Sequence, residues 1–99
     1  MAKVKDLLTA DNKWVQNAEA IDADDEVCLP TAPKAVAWCL LGAVIKCYEE
    51  EQIDEILDRI DNYLLKEEGD TYKPCITSWN DVSQRTFEDI RDLVTTLDI

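Results

Sequence analysis

The apolar positions of this chain fall into two contrasting blocks that meet at Tyr48-Glu49. From Pro33 to Tyr48, PKAVAWCLLGAVIKCY, there is no acidic residue, and apolar side chains occupy nearly every face of a helical wheel. That pattern predicts a central buried helix over 34–48. Pro33 takes its first position, Thr31 is a nearby cap, and Gly42-Ala43 leave room for another element to approach. The next thirteen positions, Glu49 to Asp61, carry seven acids. Within and beyond them Ile53, Ile56, Leu57, Ile60 and Leu64 recur at helical spacing. They predict a third helix with one apolar stripe, ended near Gly69, where glycine suits a left-handed terminus.

Outside these blocks the pattern is shorter-ranged. Val4, Leu7 and Leu8 predict a brief first helix that stops at the turn-forming Asp11-Asn12. Residues 13–32 show no helical period and read as an irregular segment or a small hairpin. In that segment Trp14-Val15 opens a strand, Asp22 to Glu26 form an exposed tip, and Val27-Cys28-Leu29 return. Lys73-Pro74 predicts an extended link into a turn at Ser78-Trp79-Asn80-Asp81. Thr86 followed by Asp89 resembles a capping box, with Asp in place of the usual Glu or Gln. It starts a last helix lined by Phe87, Ile90, Leu93, Val94 and Leu97. The expected fold is mainly α: one compact domain, 1–99, of about four helices with the 34–48 helix at its centre.

Size and charge narrow the classes of function. Ninety-nine residues make one small domain with one core. The net charge is −12, and residues 49–72 hold ten acids against two bases. Such a surface repels nucleic acid and anionic membrane and favours basic partners, although negative charge also serves solubility by itself. The amino end has no continuous apolar segment of signal-peptide type, and no apolar run reaches the ~20 residues of a membrane span. A cytoplasmic setting with free thiols at Cys28, Cys39, Cys47 and Cys75 is therefore expected.

Histidine is absent, which rules out Cys–His and Ser–His nucleophile pairs within the chain and argues against catalytic zinc. The cysteines are separated by ten, seven and twenty-seven residues, with no close pair of the kind a zinc knuckle needs. No cofactor or metal is expected, nor an enzymatic activity. The acids of the third helix are a different matter. Glu51, Asp54, Glu55, Asp58 and Asp61 fall on one side, opposite the Ile/Leu stripe, where neighbours at i+3 and i+4 repel unless a cation or a basic partner intervenes. They read as a solvated face, as a docking surface for a basic protein partner, or as a weak Mg²⁺ or Ca²⁺ site.

Two aromatic clusters carry the most specific spacing. Trp38-Cys39-x-x-Gly42-Ala43 lies in the apolar block, and Trp79-Asn80-Asp81-x-x-x-Arg85-Thr86 precedes the last helix. Trp79 is expected to pack on the core. Asn80 and Asp81 would hydrogen-bond into the following turn, and Arg85 would pair with Asp81 or a neighbouring carboxylate. This is either an anchored loop or, with Trp14, a recognition patch of Trp14, Trp79, Asn80, Asp81 and Arg85. With Trp14, these motifs resemble those of a family of small bacterial and phage proteins of unknown function, and the likeness runs over most of the chain. The resemblance implies a compact helical fold and a bacterial or mobile-element setting, and it implies no activity, cofactor or catalytic residue.

Two functions follow as expectations. The first is a non-enzymatic, phage-encoded inhibitor whose anionic helix binds a basic surface on a host nucleic-acid-handling or defence complex, in the manner of a DNA mimic or an anti-CRISPR protein. The alternative is a small-molecule or nucleotide-binding module built on the Trp79–Arg85 turn.

Overall fold

The computed structural model describes residues 3–69, 72 and 75–99. In chain order its helices are α1 (Val4–Leu7), α2 (Leu40–Cys47), α3 (Glu50–Glu68), α4 (Ile76–Asp81) and α5 (Phe87–Leu97), with a 3₁₀ turn at Asp11–Lys13. One antiparallel pair of short strands, β1 (Ala20–Ile21) and β2 (Ala37–Trp38), completes the described structure. The fold is mainly α, as the pattern predicts. Among the described residues no helix is long and apolar enough to cross a membrane.

The central buried helix exists but is shorter than its apolar run. It begins at Leu40 and not at Pro33, and buries Leu40, Gly42, Ala43, Val44 and Cys47. Residues 33–34 form a turn, and 36–39 are extended because the 15–21 segment supplies their backbone partners. Val36 N–H donates to Ile21 C=O (2.9 Å), Cys39 N–H donates to Glu19 C=O (3.2 Å), and Trp38 C=O accepts from Val15 N–H (3.1 Å). An apolar run buried on every side reads the same as strand or as helix, so periodicity alone could not place this boundary.

The hairpin also pairs differently from expectation. The main partner of β1 is β2, with Ala20 opposite Trp38 and Ile21 opposite Ala37. Val27 reaches β1 only through an isolated bridge to Ile21, while Trp14 bridges Trp38 in parallel on the other side. The tip at Asp22–Glu26 closes on itself, since Asp22 Oδ1 accepts from the backbone N–H groups of Asp24 (2.9 Å) and Glu26 (3.1 Å). The predicted turn at Ser78–Asp81 is instead the short helix α4. The predicted link at Lys73-Pro74 lies outside the described residues.

The helices that were legible hold their stripes. On α3, Ile56, Ile60 and Leu64 are buried, and Gly69 ends it with φ +65°, a value that suits glycine. On α5, Thr86 Oγ1 accepts from Asp89 N–H (3.2 Å) and Asp89 Oδ2 accepts from Thr86 N–H (3.0 Å), a complete capping box. Its buried residues are Ile90, Leu93 and Val94. The ends of the chain are clamped together: Asp98 pairs with Lys3 (3.0 Å) and Lys5, and Lys5 N–H donates to the carbonyl of the fully buried Ile99 (3.3 Å). The paired ammonium groups, Lys5 first, hold the Asp98 carboxyl down at about 2.

Candidate functional site

Three surfaces need placing: the acidic stripe, the aromatic cluster, and whatever cavity lies between them. On α3, Glu51, Asp54, Glu55 and Asp58 are exposed. None of the four forms an ion pair with a described residue. Asp61 differs from them. It is half-buried, and its Oδ1 accepts a 2.6 Å hydrogen bond from Tyr72 OH. Burial first, and then the Asp61 carboxylate, hold the Tyr72 phenol well above its ordinary pKa. The free stripe therefore comprises four carboxylates, and Asp61 fastens Tyr72 to that helix.

The five residues of the expected recognition patch do come together, but Trp79 and Asn80 are buried and Trp14, Asp81 and Arg85 only half-buried. Asn80 is 0% exposed and Trp79 8%. Asn80 is a hydrogen-bond hub: Oδ1 accepts from Trp14 Nε1 (2.7 Å) and from Leu40 N–H (3.0 Å). Its Nδ2 donates to Val15 C=O (3.2 Å) and to Asp81 Oδ1 (2.8 Å). The same Asp81 oxygen accepts from Asn17 N–H (2.9 Å), at a residue whose φ is +67°. Asn80 and Asp81 thus tie α4 to the 14–17 segment and the start of α2, not to the turn before α5. The anchored-loop reading fits this geometry, with the anchor reaching much further along the chain than a local turn.

Arg85 takes the second of its expected partners. Its guanidinium lies 3.9 Å from the Trp79 ring centroid, Nε donates to Trp79 C=O (2.9 Å), and Nη1 stands 3.8 Å from Asp89. Stacking and the backbone bond fix the guanidinium in place. The first cluster is similarly structural. Cys39 caps α2, its Sγ accepting from Gly42 N–H (3.3 Å), and Gly42 allows the Glu19 carbonyl to come close.

A cleft of about 420 Å³ opens beside this hub, a size suited to a ligand or an inserted side chain. Tyr72, Trp79 and Val82 form its apolar lining and Glu68, Cys75, Ser78 and Arg85 its polar lining. Glu68 Oε1 accepts from Trp79 Nε1 (3.2 Å). A second hollow of about 170 Å³ shares Glu68, Trp79 and Arg85 and adds Glu67, Asp89 and Asp92. Sequence reasoning identified Trp79 and Arg85 but missed Glu68, Tyr72 and Val82. Their gathering depends on how α4 packs beside the end of α3, and no local spacing reports it. Among the described residues no three acids or cysteines converge on a metal-sized site.

All four thiols are free, and they differ in acidity. Burial pushes Cys39 up and Cys47 up to about 11. Cys75 is exposed, and hydrogen bonds from the Ser78 and Thr77 hydroxyls bring its thiol down to about 7. Since the thiolate is the nucleophile, Cys75 should be the first residue alkylated by iodoacetamide at neutral pH. Its rate should rise with pH through about 7 and then level off. Mass mapping should find the first adduct at Cys75, with the buried Cys39 and Cys47 protected until unfolding. A rate still climbing steeply above pH 8.5 would contradict this placement.

The model of a protein family described as "Family of unknown function (DUF6197)" matches residues 1–97, and the chain belongs to that family. No curated protein and no solved structure matches the chain.

Proposed function

We propose that this protein is a non-enzymatic interaction module that docks the anionic face of α3 onto a basic surface of a protein partner. The observation that carries this reading is the row Glu51, Asp54, Glu55 and Asp58, all exposed and without ion pairs among the described residues. These carboxylates ride on a 19-residue helix whose other side is fixed in the core by Ile56, Ile60 and Leu64. Rigid presentation matters because ordering flexible charged side chains at an interface costs free energy. A partner surface evolved to hold phosphates, such as the groove of a nucleic-acid-handling or defence complex in the cytoplasm, offers the complementary charge. The resemblance to bacterial and phage proteins suits an inhibitor of that kind.

The nucleotide-binding alternative has less support. A cleft is present, but Arg85 is committed to Trp79 and Asp89, and carboxylates outnumber it in the adjoining hollow. A phosphate entering there would meet net repulsion.

Pull-down from a native host at low and high salt, identified by mass, tests the docking reading. With the captured partner, Asp54→Asn/Asp58→Asn should weaken binding by about threefold to tenfold, and the loss should shrink as salt rises. Affinity unchanged by the double substitution would remove α3 from the interface.

A further inference from the structure

Building on the docking reading above, we propose that the 420 Å³ cleft between the end of α3 and α4 receives an arginine or lysine side chain of the same basic protein partner. Three independent features agree. The lining combines aromatic and aliphatic walls from Tyr72, Trp79 and Val82 with the Glu68 carboxylate. That combination suits a side chain with an apolar stem and a cationic head. The ring of Trp79 stacks with a guanidinium at 3.9 Å, that of Arg85, which also lines the cleft and is paired there with Asp89, so this aromatic surface is compatible with a cation. Finally, Glu67, Asp89 and Asp92 stand in the adjoining hollow, where Arg85 is the one base among the described residues, which favours cations over anions.

The cleft is also placed to act together with the stripe. Asp58 and Glu68 are ten residues apart on α3, about 15 Å of rise. An extended basic segment crosses that distance in about five residues. One partner segment therefore reaches from the free carboxylates to the cleft, with a buried anchor at one end and exposed charge pairs along its length. An anchor packed on Tyr72 and Trp79 contributes more to affinity than rim charges do.

The test is a titration of the ¹⁵N-labelled 99-residue chain with a nona-arginine peptide, followed through the indole N–H of Trp79 and the amides of α3. Saturable shifts at both places are expected. Glu68→Gln, which keeps an acceptor for Trp79 Nε1, should weaken binding read at Trp79 by about threefold to tenfold. Glu67→Gln makes the same charge change outside the cleft and should alter it by less than about twofold. Val82→Trp fills the cleft at constant charge and should abolish the Trp79 shift while leaving the α3 shifts in place.

Shifts on α3 with Trp79 silent would overturn the cleft assignment and leave the docking reading standing. Silence at both would count against both. Equal effects of Glu67→Gln and Glu68→Gln would reduce the cleft to general charge and overturn it. Spermine moving Trp79 without α3, and more tightly than the peptide, would assign the cleft to a free polyamine. ATP moving Trp79 where the peptide does not would assign it to an anion.

Discussion

Asn80→Ala is expected to destabilise the fold by about 3–4 kcal/mol. The substitution removes four hydrogen bonds at once from a side chain with no exposure. The groups left behind are the Trp14 indole N–H, the Leu40 amide at the start of α2, and the Val15 carbonyl. Orphaning a buried polar group costs about 1–3 kcal/mol. The Leu40 amide is fully enclosed, whereas the half-buried Trp14 recovers part of its loss from water. Against a total stability of about 5–15 kcal/mol for a domain of this kind, that is a large fraction. Thermal unfolding followed by circular dichroism should show Tm lowered by about 20 °C. Asn80→Asp, nearly isosteric, is a second arm. Its new oxygen would face the Val15 carbonyl and the Asp81 carboxylate, and burial without a cation raises a carboxyl pKa. A raised folded pKa means that the variant gains stability as pH falls through it. A loss below about 1 kcal/mol for both variants would show that Asn80 is not the hub.

Gly42→Ala gives the second large effect, and its sign is the informative part. Alanine is about 1 kcal/mol better than glycine in an unobstructed helix interior. Here a Cβ at position 42 would sit 1.9 Å from the Glu19 carbonyl oxygen and 2.9 Å from its carbon. These are backbone atoms, held in turn by the bond from Cys39 N–H to Glu19 C=O. To admit the methyl, the 17–20 segment must move away from α2, breaking that bond and disturbing β1 where it pairs with β2. Overpacking of this kind costs about 1–3 kcal/mol, and the lost bond adds to it. A net destabilisation of about 2–4 kcal/mol is expected from urea unfolding, with the midpoint shifted and the slope unchanged. Unchanged or increased stability would mean that α2 and the 17–20 segment do not make this contact in solution.

These two substitutions bear on what the two aromatic clusters do. Trp38-Cys39-x-x-Gly42-Ala43 and Trp79-Asn80-Asp81-x-x-x-Arg85-Thr86 have the spacing of a site, yet their residues are used to assemble the fold. Trp38 Nε1 donates to Pro30 C=O (2.8 Å), Cys39 caps α2, Gly42 admits the Glu19 carbonyl, and Thr86 caps α5. Trp79 and Asn80 are buried, and Arg85 clamps Trp79 from outside. The docking proposed above uses other surfaces, the acidic side of α3 and the cleft at its end.

By itself the sequence determined what short-range chemistry can determine. The Ile/Leu period of α3, the capping box and apolar face of α5, and the stop at Gly69 all act within a few residues, where backbone geometry relates the positions to one another. The charge excess and the absence of histidine are likewise written in the composition. Tertiary structure decided the rest. Asn80 joins residues 40, 65 and 66 positions away, contacts for which periodicity holds no information. Strand pairing with the 15–21 segment, not the apolar run, set the start of α2 at Leu40. Tyr72 took Asp61 out of a stripe to which the helical wheel had assigned it. The junction at Tyr48-Glu49 survives unchanged as the boundary between α2 and α3. Hydrophobic burial drives the helices together along faces the sequence displays, but the polar groups they bring within reach of each other are fixed only once the chain has closed.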